Sequence, residues 1–119
     1  MIEQSLAPHY ETGDRRGEAA DLGNLGLAYA DPGDTRRAIE YHEQALAIDR
    51  EIGDRRGEAI ASWNLGLLYN DQGDLRRAAD LMQVCVDFER EIGHAGAEAD
   101  AQTVAAIRTR LEEAGPAEP

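Results

Sequence analysis

The sequence predicts an all-α fold built from antiparallel helix hairpins that follow one another along the chain. Three observations carry this reading. Residues 13–52 are written again as residues 53–92, with 21 of 40 positions identical, and a third, partial copy opens at Gly93. A period of this size denotes stacked supersecondary units rather than one irregular domain. Inside each copy the apolar residues return at steps of three and four, the spacing of one helix face. Those runs are interrupted at matching places by turn-forming stretches, Asp31-Pro32-Gly33-Asp34 and Asn70-Asp71-Gln72-Gly73-Asp74.

Taken in order, residues 1–12 fall on the register of a preceding unit. Glu3-Gln4-Ser5-Leu6-Ala7 lies over Glu43-Gln44-Ala45-Leu46-Ala47, so the segment is expected to be the remnant of a repeat helix, shortened or frayed at Pro8. Asp14 is an N-cap residue, and Ala19, Ala20, Leu22, Leu25, Gly26, Leu27 and Tyr29 predict a first helix over 15–30. Asp34 caps the next helix. Ala38, Ile39, Tyr41, Ala45, Leu46, Ile48 and Ile52 carry that helix to Gly53, whose left-handed backbone stops it. The second copy repeats the arrangement. Asp54 caps, Ile60, Trp63, Leu65, Leu67, Leu68 and Tyr69 give an apolar side, and Ala78, Leu81, Met82, Val84, Cys85, Val86, Phe88 and Ile92 give the helix after the turn. In the third copy His94 stands where the caps are Asp, and a helix over 95–114 is expected to close the array with a more polar outer side. The expected organisation is therefore a remnant at 1–12, a repeat domain at 13–114 and a disordered tail at 115–119. The domain comprises repeats at 13–52 and 53–92 and a half repeat or capping helix at 93–114.

Gly26 and Gly66 sit in mid-helix, where glycine costs about 0.5–1 kcal/mol against alanine. Close approach of the partner helix offsets that cost, with Ala38 and Ala78 expected opposite. Tyr29 and Tyr69 are expected to fill the wider gap beyond. Arg36–Glu40 and Arg76–Asp80 have i,i+4 spacing for ion pairs on the outer side.

The chain has 119 residues, enough for one small domain, and carries 24 acidic against 12 basic residues for a formal charge of −12. Phosphate backbones and anionic membrane surfaces are recognised by clustered cations, so nucleic acid and membrane are excluded as partners and a basic partner is favoured. The single cysteine, Cys85, forms no intrachain disulfide and reads as buried filler. No apolar run reaches the length of a membrane span, and the first residues lack the basic-then-apolar pattern of a signal peptide, which leaves the cytoplasm as the expected location. His9, His42 and His94 have no metal-ligand spacing, no base accompanies Cys85, and GDRRG lacks the Lys-Ser/Thr of a phosphate loop. Neither an enzyme nor a cofactor or metal site is expected.

Leu25-Gly26-Leu27-Ala28-Tyr29 and Leu65-Gly66-Leu67-Leu68-Tyr69, followed by Ala38 with Ala45 and by Ala78, resemble the tetratricopeptide repeat pattern. His42 and Met82 depart from it in the aromatic slot, and Cys85 in the second alanine slot. The 40-residue unit is similar to the long-unit subclass of kinesin light chains, spindle-orientation adaptors and bacterial signalling proteins. The resemblance implies a right-handed superhelix, an α-α solenoid, whose first helices line a concave groove for a protein or peptide segment. By position it implies a groove face at Gly23, Leu27 and Ala30, at Trp63, Leu67 and Asn70, and at Thr103 and Ile107. Asn24 and Asn64 are placed to hydrogen-bond an extended backbone. The clamp for a C-terminal carboxylate is not implied, because the chain has no lysine and Gly23 and Leu27 occupy two of its positions. The functional expectation is a non-catalytic interaction module binding a partner on the concave face. The alternatives are a homo-oligomer assembled through exposed repeat ends, and a sensor or scaffold segment of a larger bacterial regulator.

Overall fold

The structure, a computed structural model, describes residues 14–31 and 33–114; the expectations for residues 1–12 and 115–119 lie outside the described residues. Among the described residues there are five α-helices and no strand: α1 (Asp14–Ala30), α2 (Thr35–Ile52), α3 (Arg55–Asp71), α4 (Leu75–Glu91) and α5 (Ala97–Ala114). The fold is all-α, as the periodicity requires.

Capping chemistry explains where the helices start and stop. The carboxylates of Asp34 and Asp74 accept from the backbone N–H groups of Arg37 and Arg77, each at 3.3 Å, and Asp54 accepts from Gly57 N–H at 3.0 Å. These bonds satisfy donors that a helix N-terminus leaves open. Gly53, at φ 72°, ends α2 by sending its N–H back to Arg50 O, a conformation that a side chain would strain. In the third copy His94 substitutes for the capping aspartate through a ring nitrogen: Gly96 N–H donates to Nδ1 at 2.9 Å. α5 then starts at Ala97, two residues later than the sequence suggests.

The chain divides into two compact units, Met1–Ala61 and Ser62–Pro119. In the first, α1 packs along α2, and the core gathers Ala19, Ala45 and Ile48 with the half-buried Leu22 and Ile52. Gly26 is buried against the imidazole of His42: a Cβ built on it would stand 2.6 Å from Nε2. The glycine therefore makes room for the histidine that replaces the usual aromatic. Tyr29 stacks on Tyr41 with ring centroids 5.5 Å apart, and the Arg37 guanidinium lies over Tyr29.

The second unit repeats the device with other side chains. A Cβ on Gly66 would collide with the Met82 side chain and stand 3.0 Å from the backbone oxygen of Ala78. Here Ala78 does sit opposite, through its carbonyl, but the residue filling the slot is again the one sixteen positions on. Leu65, Met82, Val86 and Val104 are the largest apolar side chains sealed from solvent, and α4 packs along α5. Tyr69 is buried beneath Arg77.

Several expected details are corrected. The outer ion pairs are Arg37–Asp34 and Arg77–Asp74, each at 3.7 Å, and Asp80 pairs with Arg108 rather than with Arg76. Long arginine stems reach the cap carboxylate as readily as an acid one turn on. Ile60 and Ile92 belong to the apolar runs but are exposed. Leu25 and Leu65 occupy the same position of successive repeats, yet Leu25 is 42% exposed and Leu65 1%. Periodicity specifies which face is apolar; it does not specify what covers it.

Candidate functional site

The first helix of each repeat positions the side chains singled out by the sequence. On α1, Gly23, Leu27 and Ala30 recur at the spacing of one helical face. Gly23 and Ala30 are half-buried, Leu27 is 52% exposed and Asn24 beside it is exposed. On α3 the corresponding face carries Trp63, Asn64, Leu67 and Asn70. Leu67 is 41% exposed and the other three are half-buried. The two leucines stand one repeat apart and both remain open to solvent.

In the second unit the face extends to a residue that the sequence reading missed. Arg110 on α5 donates from Nη1 to Asn70 Oδ1 at 3.1 Å. The two residues lie 40 apart, so they hold the same place in successive repeats, a signal present in the repeat register. The bond fixes the Asn70 amide and leaves further guanidinium donors of an exposed arginine beside Leu67's helix. Thr103 is exposed on α5, its hydroxyl within 3.4 Å of Ala99 O. Ile107 is a correction: it is buried in the core and presents nothing to a partner.

The face is chemically plain. On each first helix the candidate residues are uncharged, Gly23, Asn24, Leu27 and Ala30 on α1 and Trp63, Asn64, Leu67 and Asn70 on α3, while Arg110 beside Asn70 carries a charge. An exposed aliphatic side chain flanked by carboxamides suits an apolar side chain together with the backbone groups of a bound segment.

Two buried titratable groups belong to the second helices of the repeats, His42 on α2 and Cys85 on α4. His42 is sealed from solvent with Nδ1 unpartnered, and burial lowers its pKa from the ordinary imidazole value. The Cys85 thiol is pushed up to about 12 by burial and by the Glu89 carboxylate, so it is a thiol and not a thiolate at neutral pH. Among the described residues no three His, Cys, Asp or Glu side chains gather as metal ligands, and no helix is long and apolar enough to cross a membrane.

No curated protein matches the chain. A family model described as Tetratricopeptide repeat matches residues 18–91, which contain both Leu-Gly-x-x-Tyr helices and the helices that follow them. The chain belongs to the tetratricopeptide repeat family.

Proposed function

We propose that this chain is a non-catalytic interaction module that holds a partner protein segment on the groove side formed by the first helices of its repeats. Tetratricopeptide repeats generally mediate protein–protein interaction. The observation that carries the finer reading is the exposed leucine that each first helix presents. Within a strongly acidic chain, Leu27 and Leu67 stay exposed at equivalent positions, flanked by Asn24, Asn64, Trp63 and Asn70. Exposed aliphatic side chains recurring at one repeat position are surface left open for contact. The segment that fits is apolar at its anchor, and the basic character inferred from net charge is carried by its flanks. In this reading the 40-residue unit belongs to the long-unit subclass, with repeats at 13–52 and 53–92.

Panning a displayed random-peptide library on the purified chain tests this. Binders should be lost with Leu27→Glu and Leu67→Glu, which place a charge on exposed positions and leave helicity intact. They should survive Gln44→Glu on the exposed side of α2. Selected peptides that bind all three variants equally would remove the proposal.

One observation favours a second reading, self-association through a repeat end. Leu25 is open where its counterpart Leu65 is closed. A second copy covering α1 would make the mass by light scattering rise with concentration, and Leu25→Glu would return it to 13.0 kDa. A constant monomer mass at high concentration would dismiss it.

A further inference from the structure

Both helix-to-helix links between repeats carry an acid at the same backbone place, Asp49 buried and Glu89 half-buried with one oxygen sealed. At the first, Asp54 N–H donates to Asp49 O at 2.9 Å; at the second, His94 N–H donates to Glu89 O at 2.8 Å. The side chains of Asp49 and Glu89 thus stand at one position of successive copies, and each turns towards the start of the next helix. The neighbours change with them. Asp49 lies against Gly57, whose added Cβ would be 2.7 Å from Oδ1, while the longer Glu89 belongs to the link where that position is Ala97. An acid is kept although its packing partner differs.

The surroundings do not suit a carboxylate. Asp49 is 5% exposed. The N–H it faces at Gly57 is already donated to the cap Asp54. The charged groups around it are Arg16 from α1, Asp54 from the link, Glu58 from α3 and Arg50 of its own helix. The two arginines bind the outer acids, Arg16 with Asp54 at 3.4 Å and Arg50 with Glu58 at 3.2 Å. At the second link one oxygen of Glu89, Oε1, is buried without a hydrogen-bond partner. Facing it are Asp100 from α5, His94 from the link and Cys85 of its own helix, while Arg90 is engaged by Glu98 at 3.1 Å. A carboxyl withdrawn from water beside like charges is cheaper protonated than ionised.

We propose that the two links, α2 to α3 at Asp49 and α4 to α5 at Glu89, are proton-operated: each is held closed while its carboxyl carries a proton and loosens when that proton leaves. The electrostatics agree. Burial, then Asp54 and Glu58, push Asp49 up to about 6 against the opposing Arg16. Burial, then Asp100, push Glu89 up, against His94 and the Cys85 hydrogen bond. A carboxyl raised in the folded state contributes stability that is whole below its unfolded value and is lost as pH rises through the folded value. For Asp49 that window runs from 3.8 to about 6.

The test compares melting temperatures of the full chain and of Asp49→Asn and Glu89→Gln between pH 4 and 8. Each amide should raise the melting temperature at pH 7.5, and its advantage should shrink towards zero as the pH falls through the window. An advantage that does not change with pH, or a loss at every pH, overturns the proposal. Carbon NMR of the unaltered chain reads the same quantity without substitution. The Asp49 carboxyl signal should titrate at about pH 6, and Glu89 above the exposed glutamates. Titration of both alongside the exposed acids would overturn it equally.

Discussion

Two glycines three residues apart on α1 separate helix propensity from packing. Gly23 has no atom within 4 Å of an added Cβ, whereas a Cβ at Gly26 would stand 2.6–2.8 Å from Nε2, Cδ2 and Cε1 of His42. Replacing either by alanine recovers the same backbone term, about 1 kcal/mol in a helix interior. Gly26→Ala additionally drives a methyl into a sealed ring, and overpacking of that kind costs about 1–3 kcal/mol. The propensity term cancels between the two variants, so their difference reads the packing term alone. Gly23→Ala should stabilise the chain by about 1 kcal/mol, a rise of a few degrees in melting temperature. Gly26→Ala should fall about 1–3 kcal/mol below it. Adding His42→Ala should relieve the clash and return a coupling of that size in a double-mutant cycle. Urea unfolding followed by circular dichroism measures all four species. Equal stabilisation by Gly23→Ala and Gly26→Ala would refute the claim that Gly26 exists to seat His42.

Ser62 is fully buried and its hydroxyl has no partner, so Ser62→Ala should stabilise by about 1 kcal/mol with an unchanged denaturant slope. His42 has its pKa depressed by burial, so the stability it supports is present at neutral pH and lost as pH falls through the folded value. His42→Met, which installs the residue that the second unit uses against Gly66, should gain on the parent chain as pH drops below about 6.5. Cys85, held near 12, should resist iodoacetamide at pH 8 in the folded chain and react fully in denaturant, as read by mass spectrometry.

Much of the architecture is legible in the sequence because its causes are local. Asp34, Asp54 and Asp74 cap because a short carboxylate reaches N–H groups two or three residues on, and Gly53 ends α2 because its backbone turns left-handed. The less legible features depend on what lies across a contact. Mid-helix glycine implied a close neighbour, yet its identity, His42 or Met82, followed only from a sixteen-residue offset that both copies share. Leu25 and Leu65 are the same residue in the same place, and their opposite exposure has no local cause. The candidate face was readable as a pattern at Leu27 and Leu67. Arg110 was not, because nothing in α5 alone marks it until the repeat register lays it over Asn70.

The most direct test of the central claim uses the chain's sole tryptophan, which stands on the candidate face at Trp63. A library-selected peptide is titrated into the protein while Trp63 emission is followed. Binding along the first-helix stripe predicts a saturable change that disappears with Leu67→Glu and persists with Gln44→Glu. Saturable binding, established by calorimetry, that leaves Trp63 emission unchanged and survives Leu67→Glu would contradict it.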